Sequence, residues 1–237
     1  SQPPVVAAPP AVGSAASPPA VPTPPPLATT APDWPALLKP TGEDEANHRL
    51  LAAWGITQPD HNGAAFCERV KDYKLRCLAG RADWDGLRRY DRPVLLQLKA
   101  LEGSTRLVLL RALTESDATL DLAGQSVSVP LAQLTPLWTG DYLLLWRPQI
   151  PQTLIGPGAS GEAVRWLRSR LALAAGQPAP EPLSETFDSA LVDQLRAFQR
   201  DRGLRPDGLA GQRTLVLLNN LAPESDTPVL RPPGEKH

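Results

Sequence analysis

Residues 187–214 read FDSALVDQLRAFQRDRGLRPDGLAGQRT, and this stretch decides the C-terminal fold. Phe187, Leu191, Leu195 and Phe198 recur at i, i+4, i+8 and i+11, a spacing that puts them on one face of a helix. Gly203 is the expected C-cap, because glycine tolerates the left-handed backbone that ends a helix. Pro206-Asp207-Gly208 is a turn signal, and Gly211 opens a third helix expected to run to Leu221. Upstream, Ser160 to Ala174 predicts a first helix with Val164, Leu167 and Leu171 facing inward. Three short helices around one small core are expected over residues 151–223.

Working outward, residues 34–150 change character. Glu45–Trp54 and Ala64–Tyr73 read as short helices. Val94–Leu98, Leu107–Leu113 and Tyr142–Trp146 are Val- and Leu-rich runs bounded by glycine-containing turns. Thr119–Leu122 and Val127–Val129 flank Ala123-Gly124-Gln125 as a smaller hairpin. The expected fold is α+β, helices first and an antiparallel sheet after. Cys67 and Cys77 can close a short loop in an oxidising compartment, adding about 2–3 kcal/mol. Two buried free thiols are the alternative reading of the same spacing.

The ends are different again. Residues 1–32 hold 11 prolines and no charged side chain, so residues 1–33 are expected to be a disordered, extended tether. At about 3 Å per residue such a tether reaches up to roughly 100 Å. Residues 224–237 are expected to be a disordered tail. The chain has no methionine, and is expected to be an excised fragment or a processed product. Its 24 basic and 25 acidic residues leave a net charge of −1, which argues against nucleic acid as a partner. No apolar run approaches the roughly 18 residues of a membrane span.

A search for chemistry returns little. The histidines are His48, His61 and His237, and none has a second histidine at metal-ligand spacing, so neither metal nor cofactor is expected. There is no H-E-x-x-H, S-x-x-K or G-x-x-x-x-G-K-[ST]. His61 near Cys67 is better read as a surface residue than as half of a Cys–His pair. Asp83/Asp85 and Glu43/Asp44/Glu45 read as solvated charges. Trp54, Trp84, Trp138 and Trp146 sit in apolar patterns and read as core. Trp166 falls off the inward face of its helix and is free to stack on sugar or peptide, or to pack against the first domain.

Gly158-x-x-Gly161-x-x-Val164-x-x-Leu167, with Phe198-Gln199 and Asp207-Gly208-Leu209-x-Gly211-x-x-Thr214, resembles the three-helix peptidoglycan-binding domain. Arg168 departs from the glutamine common in that family. Residues 34–150 resemble, in degenerate form, the papain-like cysteine peptidase domain of bacteriocin-processing enzymes. That resemblance puts Asn62 at the nucleophile position and Arg106 at the histidine position, and keeps Asp121 near the third. An amide is no thiolate, and arginine accepts no proton near neutral pH. Tether, degenerate domain and binding domain, in that order, resemble the periplasmic part of the GspA/ExeA family of type II secretion assembly proteins. The resemblance implies a periplasmic module held to the inner membrane through a span outside this sequence. It also implies a GspB-type partner.

The expected function is therefore non-catalytic: a cell-wall anchor that binds peptidoglycan and supports secretin insertion, with self-association as a further role. A cysteine hydrolase acting through Cys67 and a purely structural interaction protein are the rivals. For the wall ligand, carboxylates of stem peptides are drawn to the free N–H groups of a helix N-terminus. That places the expected site at the start of the third helix: Gln212, Arg213 and Thr214, shaped by Asp207, Gly208 and Gly211, with Trp166 as an outlying member.

Overall fold

In the computed structural model, the described residues are 33–39, 41–59, 63–100, 102–179 and 181–231. The tether expected at 1–33, except Asp33, lies outside them, as do His61, Asn62 and His237. The first lobe is built on an antiparallel six-stranded sheet, in the order β1-β6-β2-β3-β4-β5. The strands are β1 (Arg76–Arg81), β2 (Val94–Lys99), β3 (Thr105–Leu113), β4 (Asp117–Leu122), β5 (Gln125–Pro130) and β6 (Trp138–Trp146). Before the sheet come α1 (Glu43–Ala53) and the short α2 (Phe66–Arg69), which continues as a 3-10 turn over Val70–Tyr73. Helix α3 (Trp84–Tyr90) links β1 to β2, and α4 (Leu131–Leu134) links β5 to β6. The helical lobe comprises α5 (Glu162–Ala174), α6 (Ser189–Asp201) and α7 (Gln212–Asn219).

Side chains alternate across a strand, and here both faces of the sheet are covered. Leu95, Leu109 and Leu145 pack with Leu50, Leu51 and Trp54 of the α1 side. Val94, Leu96, Leu110, Leu144 and Trp146 share the opposite core with Val164, Leu167, Leu195, Phe198 and Leu218 of the helical lobe. The 150/151 boundary read from the sequence therefore divides two secondary-structure classes but not two cores. Both lobes belong to one compact unit. Trp54 and Trp146 are buried, while Trp84 and Trp138 are half-buried and lie with ring centroids 4.2 Å apart.

Polar links reinforce the shared core. Asn220 donates to the carbonyls of Arg89 and Tyr90 at 3.0 and 2.8 Å, and Asn219 donates to that of Arg147 at 2.8 Å. Arg170 reaches Gln149 at 2.8 Å.

Several expectations need correction. Helix α6 starts at Ser189, because the Asp188 carboxylate accepts from Leu191 N–H at 2.9 Å and caps it. Phe187 therefore packs from the approach to the helix rather than from its face. The third helix ends at Asn219 instead of Leu221. Strand β1 and helix α3 had no sequence-based counterpart. The tail is packed as far as residue 231: Leu230 is 1% exposed, and its carbonyl accepts from Leu113 N–H at 2.9 Å, at the end of β3. Asp91, itself buried, accepts from Leu230 N–H at 3.0 Å and pairs with Arg231 at 2.6 Å.

Candidate functional site

The peptidase-like lobe carries no assembled catalytic centre among its described residues. Cys67 of α2 and Cys77 of β1 are joined as a disulfide, so neither sulfur is a thiolate in this state. Arg106 and Asp121 do not face each other. Arg106 pairs with Leu98 and shares the face that carries Val108 and Leu110, against the helical lobe. Asp121 pairs with Leu109 and shares the α1 face. The parity of β3 thus sets Arg106 and Asp121 on opposite faces of the sheet, and the residue opposite Asp121 is Leu109.

Each of the two charged groups has an opposite charge as its partner. Arg106 pairs with Glu102. Asp121, 6% exposed, accepts from Arg111 Nε and Nη2 at 2.9 and 2.7 Å, from Arg49 at 3.2 Å and from Gly124 N–H at 2.9 Å. A carboxylate held by two guanidinium groups is a fastener between α1, β3 and β4, and has no imidazole to orient. His48 donates to the Thr57 carbonyl at 2.9 Å on the exposed side of α1. Among the described residues, no three His, Cys, Asp or Glu side chains gather as a metal site.

In the helical lobe, the predicted residues divide by role. Gln199, 1% exposed, donates to Asp207 Oδ1 and the Leu209 carbonyl at 2.9 Å each, and to Thr214 Oγ1 at 3.3 Å. Its carbonyl oxygen accepts from Gly208 N–H at 2.9 Å. Asp207 also accepts from Leu209 N–H at 2.9 Å. That backbone bond, with the Gln199 amide, holds the Asp207 carboxyl below the usual range against the opposing effect of desolvation. Gly208 is buried at φ 75°, and a Cβ there would stand 3.0 Å from Val192. Asp207, Gly208 and Thr214 thus build the loop that aims α7. Thr214, 3% exposed, is no free donor.

Gly211 precedes α7 without a side-chain cap, which leaves the first-turn N–H groups of Gln212 and Arg213 uncapped by a side chain. Arg213 is exposed and lies over Gly80 of β1, its Nη2 standing 2.5 Å from where a Cβ at that glycine would be. Beneath it Tyr142 is buried, and its phenol pKa is raised by burial first and by Tyr90 second, with Arg213 opposing. Trp166 is half-buried against the shared core, with the Arg170 guanidinium 5.7 Å from its ring centre. It lines neither the groove between α5 and α6 nor the one between the lobes.

One groove, about 420 Å³, runs between α5 and α6 and is lined by Leu171, Ala172, Ala175 and Phe198, with Arg168 and Arg202 at its edges. Arg168 is committed there to the Asp188 cap at 2.6 Å and to the Thr186 carbonyl at 2.8 Å, so its departure from the family pattern ties α5 to the start of α6. The other, about 210 Å³, lies between the lobes and contains Arg81, Arg89, Arg202 and Arg213. Arg89 and Arg202 did not stand out in the sequence; only the packing of α3 against α7 brings them to Arg213. Gln199 was visible as a polar residue beside Phe198 on an apolar helix face.

Comparison with known proteins agrees with this division. Residues 34–148 match the family described as "GspA, peptidase C39-like domain", and residues 160–218 match "Putative peptidoglycan binding domain". The chain is 35% identical over 182 residues to general secretion pathway protein A of Aeromonas hydrophila, covering 76% of this chain and 32% of that protein. It is 32% identical over 187 residues to the "Putative general secretion pathway protein A" of Escherichia coli K12, covering 77% and 37%. The chain thus spans about a third of the length of these curated relatives. A solved periplasmic domain of the EpsAB fusion protein of the Vibrio vulnificus type II secretion system shares its fold, with a TM-score of 0.51. That match covers 83% of this chain and 95% of the other, at 24% identity. Its two folded parts therefore belong to the GspA peptidase C39-like and peptidoglycan-binding families, and the chain is a homologue of general secretion pathway protein A.

Proposed function

We propose that this chain is a non-catalytic, wall-binding module of a type II secretion apparatus, working in the periplasm. The helical lobe holds peptidoglycan, and the peptidase-like lobe serves as its rigid companion and as a protein-binding surface. The observation that carries the reading is the pairing of a peptidoglycan-binding lobe with a lobe whose two cysteines and Asp121 are all engaged. Cys67 is bonded to Cys77, and Asp121 is held by Arg49 and Arg111. The names of the relatives support a place in secretion, and the EpsAB neighbour supports a periplasmic one. In the finer form of the proposal, the module anchors an assembly factor to the wall so that a secretin can be inserted through it. That factor is tethered to the inner membrane and works with a GspB-type partner. Self-association is part of the same proposal.

Co-sedimentation of the purified chain with isolated sacculi tests wall binding, and the chain is expected in the pellet. Incubation with sacculi or with a double-glycine leader peptide, under reducing and oxidising conditions, tests the absence of chemistry. No muropeptide and no cleaved peptide is expected in either. A chain that stays in the supernatant overturns wall binding. Turnover that disappears in Cys67→Ala overturns the non-catalytic reading.

A further inference from the structure

We infer that the cleft between the two lobes binds carboxylates, and that the peptidase-like lobe supplies half of that site. The inference rests on the wall-binding reading, and the groups it would take are the free carboxylates of peptidoglycan stem peptides. Arg81 and Arg89 enter the cleft from β1 and α3, and Arg202 and Arg213 enter it from the end of α6 and the first turn of α7. The single acidic residue in its wall, Asp83, has its Oδ1 occupied by Gly86 N–H at 2.7 Å, as the N-cap of α3.

The arginines of the fold divide into those that meet a carboxylate and those that do not. Arg88, Arg106, Arg111, Arg147, Arg165 and Arg168 each have a carboxylate partner. Among the described residues, no carboxylate lies within 4.0 Å of Arg89, Arg202 or Arg213, and Arg81 meets Asp141 only at 3.7 Å, at the exposed rim. Like charges gathered on one wall repel one another. Arg69, Arg76 and Arg170, which bond carbonyl or amide oxygens, also lack a carboxylate partner among the described residues. What sets the cleft apart is that four guanidinium groups gather on one wall with a single acid, itself engaged as a cap.

They are also seated. Gly203 of the helical lobe, at φ 66°, carries Arg89 of the first lobe; a Cβ there would stand 2.7 Å from Arg89 Nη1. Gly80 of the first lobe carries Arg213 of the helical lobe in the same manner. Each lobe thus offers a bare backbone surface on which the other lobe's guanidinium lies. Arg202 is held over the Phe198 ring at 5.4 Å. Guanidinium groups that are ordered before binding lose less side-chain entropy on meeting a carboxylate, and their planar forks match it in two-bond geometry. The uncapped first turn of α7 adds N–H donors at the same edge. The reciprocal seating makes the site a property of the joined lobes. Neither lobe by itself presents more than two of the four arginines.

The test uses the whole chain and its Arg89→Gln, Arg213→Gln and double variants, with Arg200→Gln as an exposed control outside the cleft. Binding is measured to native sacculi and to sacculi whose carboxylates have been amidated. Each single change is expected to weaken binding about fivefold, the value of one exposed charge contact of about 1 kcal/mol, and the double change about 25-fold. Arg200→Gln should bind as wild type, amidation should weaken wild-type binding, and the double variant should melt no lower than wild type. Full binding by the double variant overturns the cleft site while leaving the wall-binding reading intact, whereas a wild type that binds no sacculi overturns the wall-binding reading itself. Equal binding of wild type to amidated sacculi overturns the carboxylate assignment. Displacement by millimolar inorganic phosphate at constant ionic strength also overturns it, assigning the cleft to phosphate groups. Loss of binding together with a lower melting temperature overturns the proposal too, and makes the arginines a weld between lobes.

Discussion

Replacing Gln199 with alanine should unfold the loop that aims α7, at a cost that follows from its bonds. The side chain donates to Asp207, to the Leu209 carbonyl and to Thr214, and accepts from Gly208 N–H, with 1% of its surface exposed. A net hydrogen bond contributes about 1 kcal/mol, and a buried N–H left without a partner costs about 1–3 kcal/mol. Gly208 is buried and its N–H donates to Gln199, so losing that acceptor together with the amide's own donors gives an expected loss of about 3–5 kcal/mol. For a folded unit of this size, about 2–4 °C per kcal/mol gives a drop in melting temperature of roughly 10 °C. Because the lobes share one core, the transition should stay single by both calorimetry and near-ultraviolet circular dichroism. The Gln199→Glu variant sharpens the test. Its new carboxylate can accept from Gly208 but faces Asp207 as a like charge, so burial and repulsion raise its pKa. The penalty should be full above that raised pKa and shrink as pH falls through it, when the protonated acid regains a donor. A melting temperature within 2 °C of wild type for Gln199→Ala, or no pH-dependent recovery for Gln199→Glu, would refute the assignment of this network.

Further outcomes are specific. Leu230→Ala should destabilise by about 2–4 kcal/mol, the cost of emptying a fully buried leucine site, and expose the 224–231 segment to proteolysis without altering the sheet; protease sensitivity equal to wild type argues against the strap. Peptide mapping without reductant should recover Cys67 and Cys77 in one linked fragment. Cys67→Ser with Cys77→Ser should cost about 2–3 kcal/mol, as measured by urea denaturation. The depressed Asp207 carboxyl contributes stability that is complete above the ordinary carboxylate range and lost as pH falls through its lower native value. Asp207→Asn should therefore show a smaller acid-induced loss of stability than wild type between about pH 5 and pH 2.

What the sequence discloses depends on how far each residue's partner lies along the chain. Helix α6 is legible because Leu191, Leu195 and Phe198 repeat within three turns. Strands β2, β3 and β6 are legible because burial on both faces demands unbroken Val and Leu runs. β1 is not, since Arg76, Gly80 and Arg81 dilute the pattern of an edge strand whose one partner is β6. Phe187 extends the helical spacing past the true start because periodicity is blind to a cap, although Asp188 was there to be read. The tail misleads for a similar reason: a lone leucine among prolines reads as solvated until the end of β3 and Asp91 supply its partners. Strand register separates Arg106 from Asp121. A one-residue shift reverses the face of a side chain, and only the pairing of Leu98 with Arg106 and Leu109 with Asp121 fixes it. For the candidate site, the Asp207–Thr214 motif located the loop correctly but concealed its role. The residues that look most polar, Asp207 and Thr214, are spent on hydrogen bonds within the loop, Asp207 at its exposed surface and Thr214 beneath it. Arg89 and Arg202 acquire meaning only from an inter-lobe contact that no local pattern encodes.

The shared core gives that contact a mechanical consequence. Interfaces between domains in one chain are usually small and polar, and relative motion is the default. Here Val94, Leu96 and Leu110 of the sheet and Val164, Leu195 and Leu218 of the helices lie in one continuous cluster, crossed by the Asn219 and Asn220 links. The Leu230 strap then returns from the helical lobe to the end of β3. Under the proposed function, a load on a wall-bound helical lobe passes through this shared core into the sheet. The loop between α6 and α7 is fixed by Gln199, and α7 is fixed against α3, so the arginines at the inter-lobe cleft keep their spacing under that load. A peptidase needs an open face and a group that moves protons; an anchor needs a closed core and a fixed grip. The bonded Cys67, the fastened Asp121 and the core packed on both faces of the sheet are the features on which the proposed anchoring role rests.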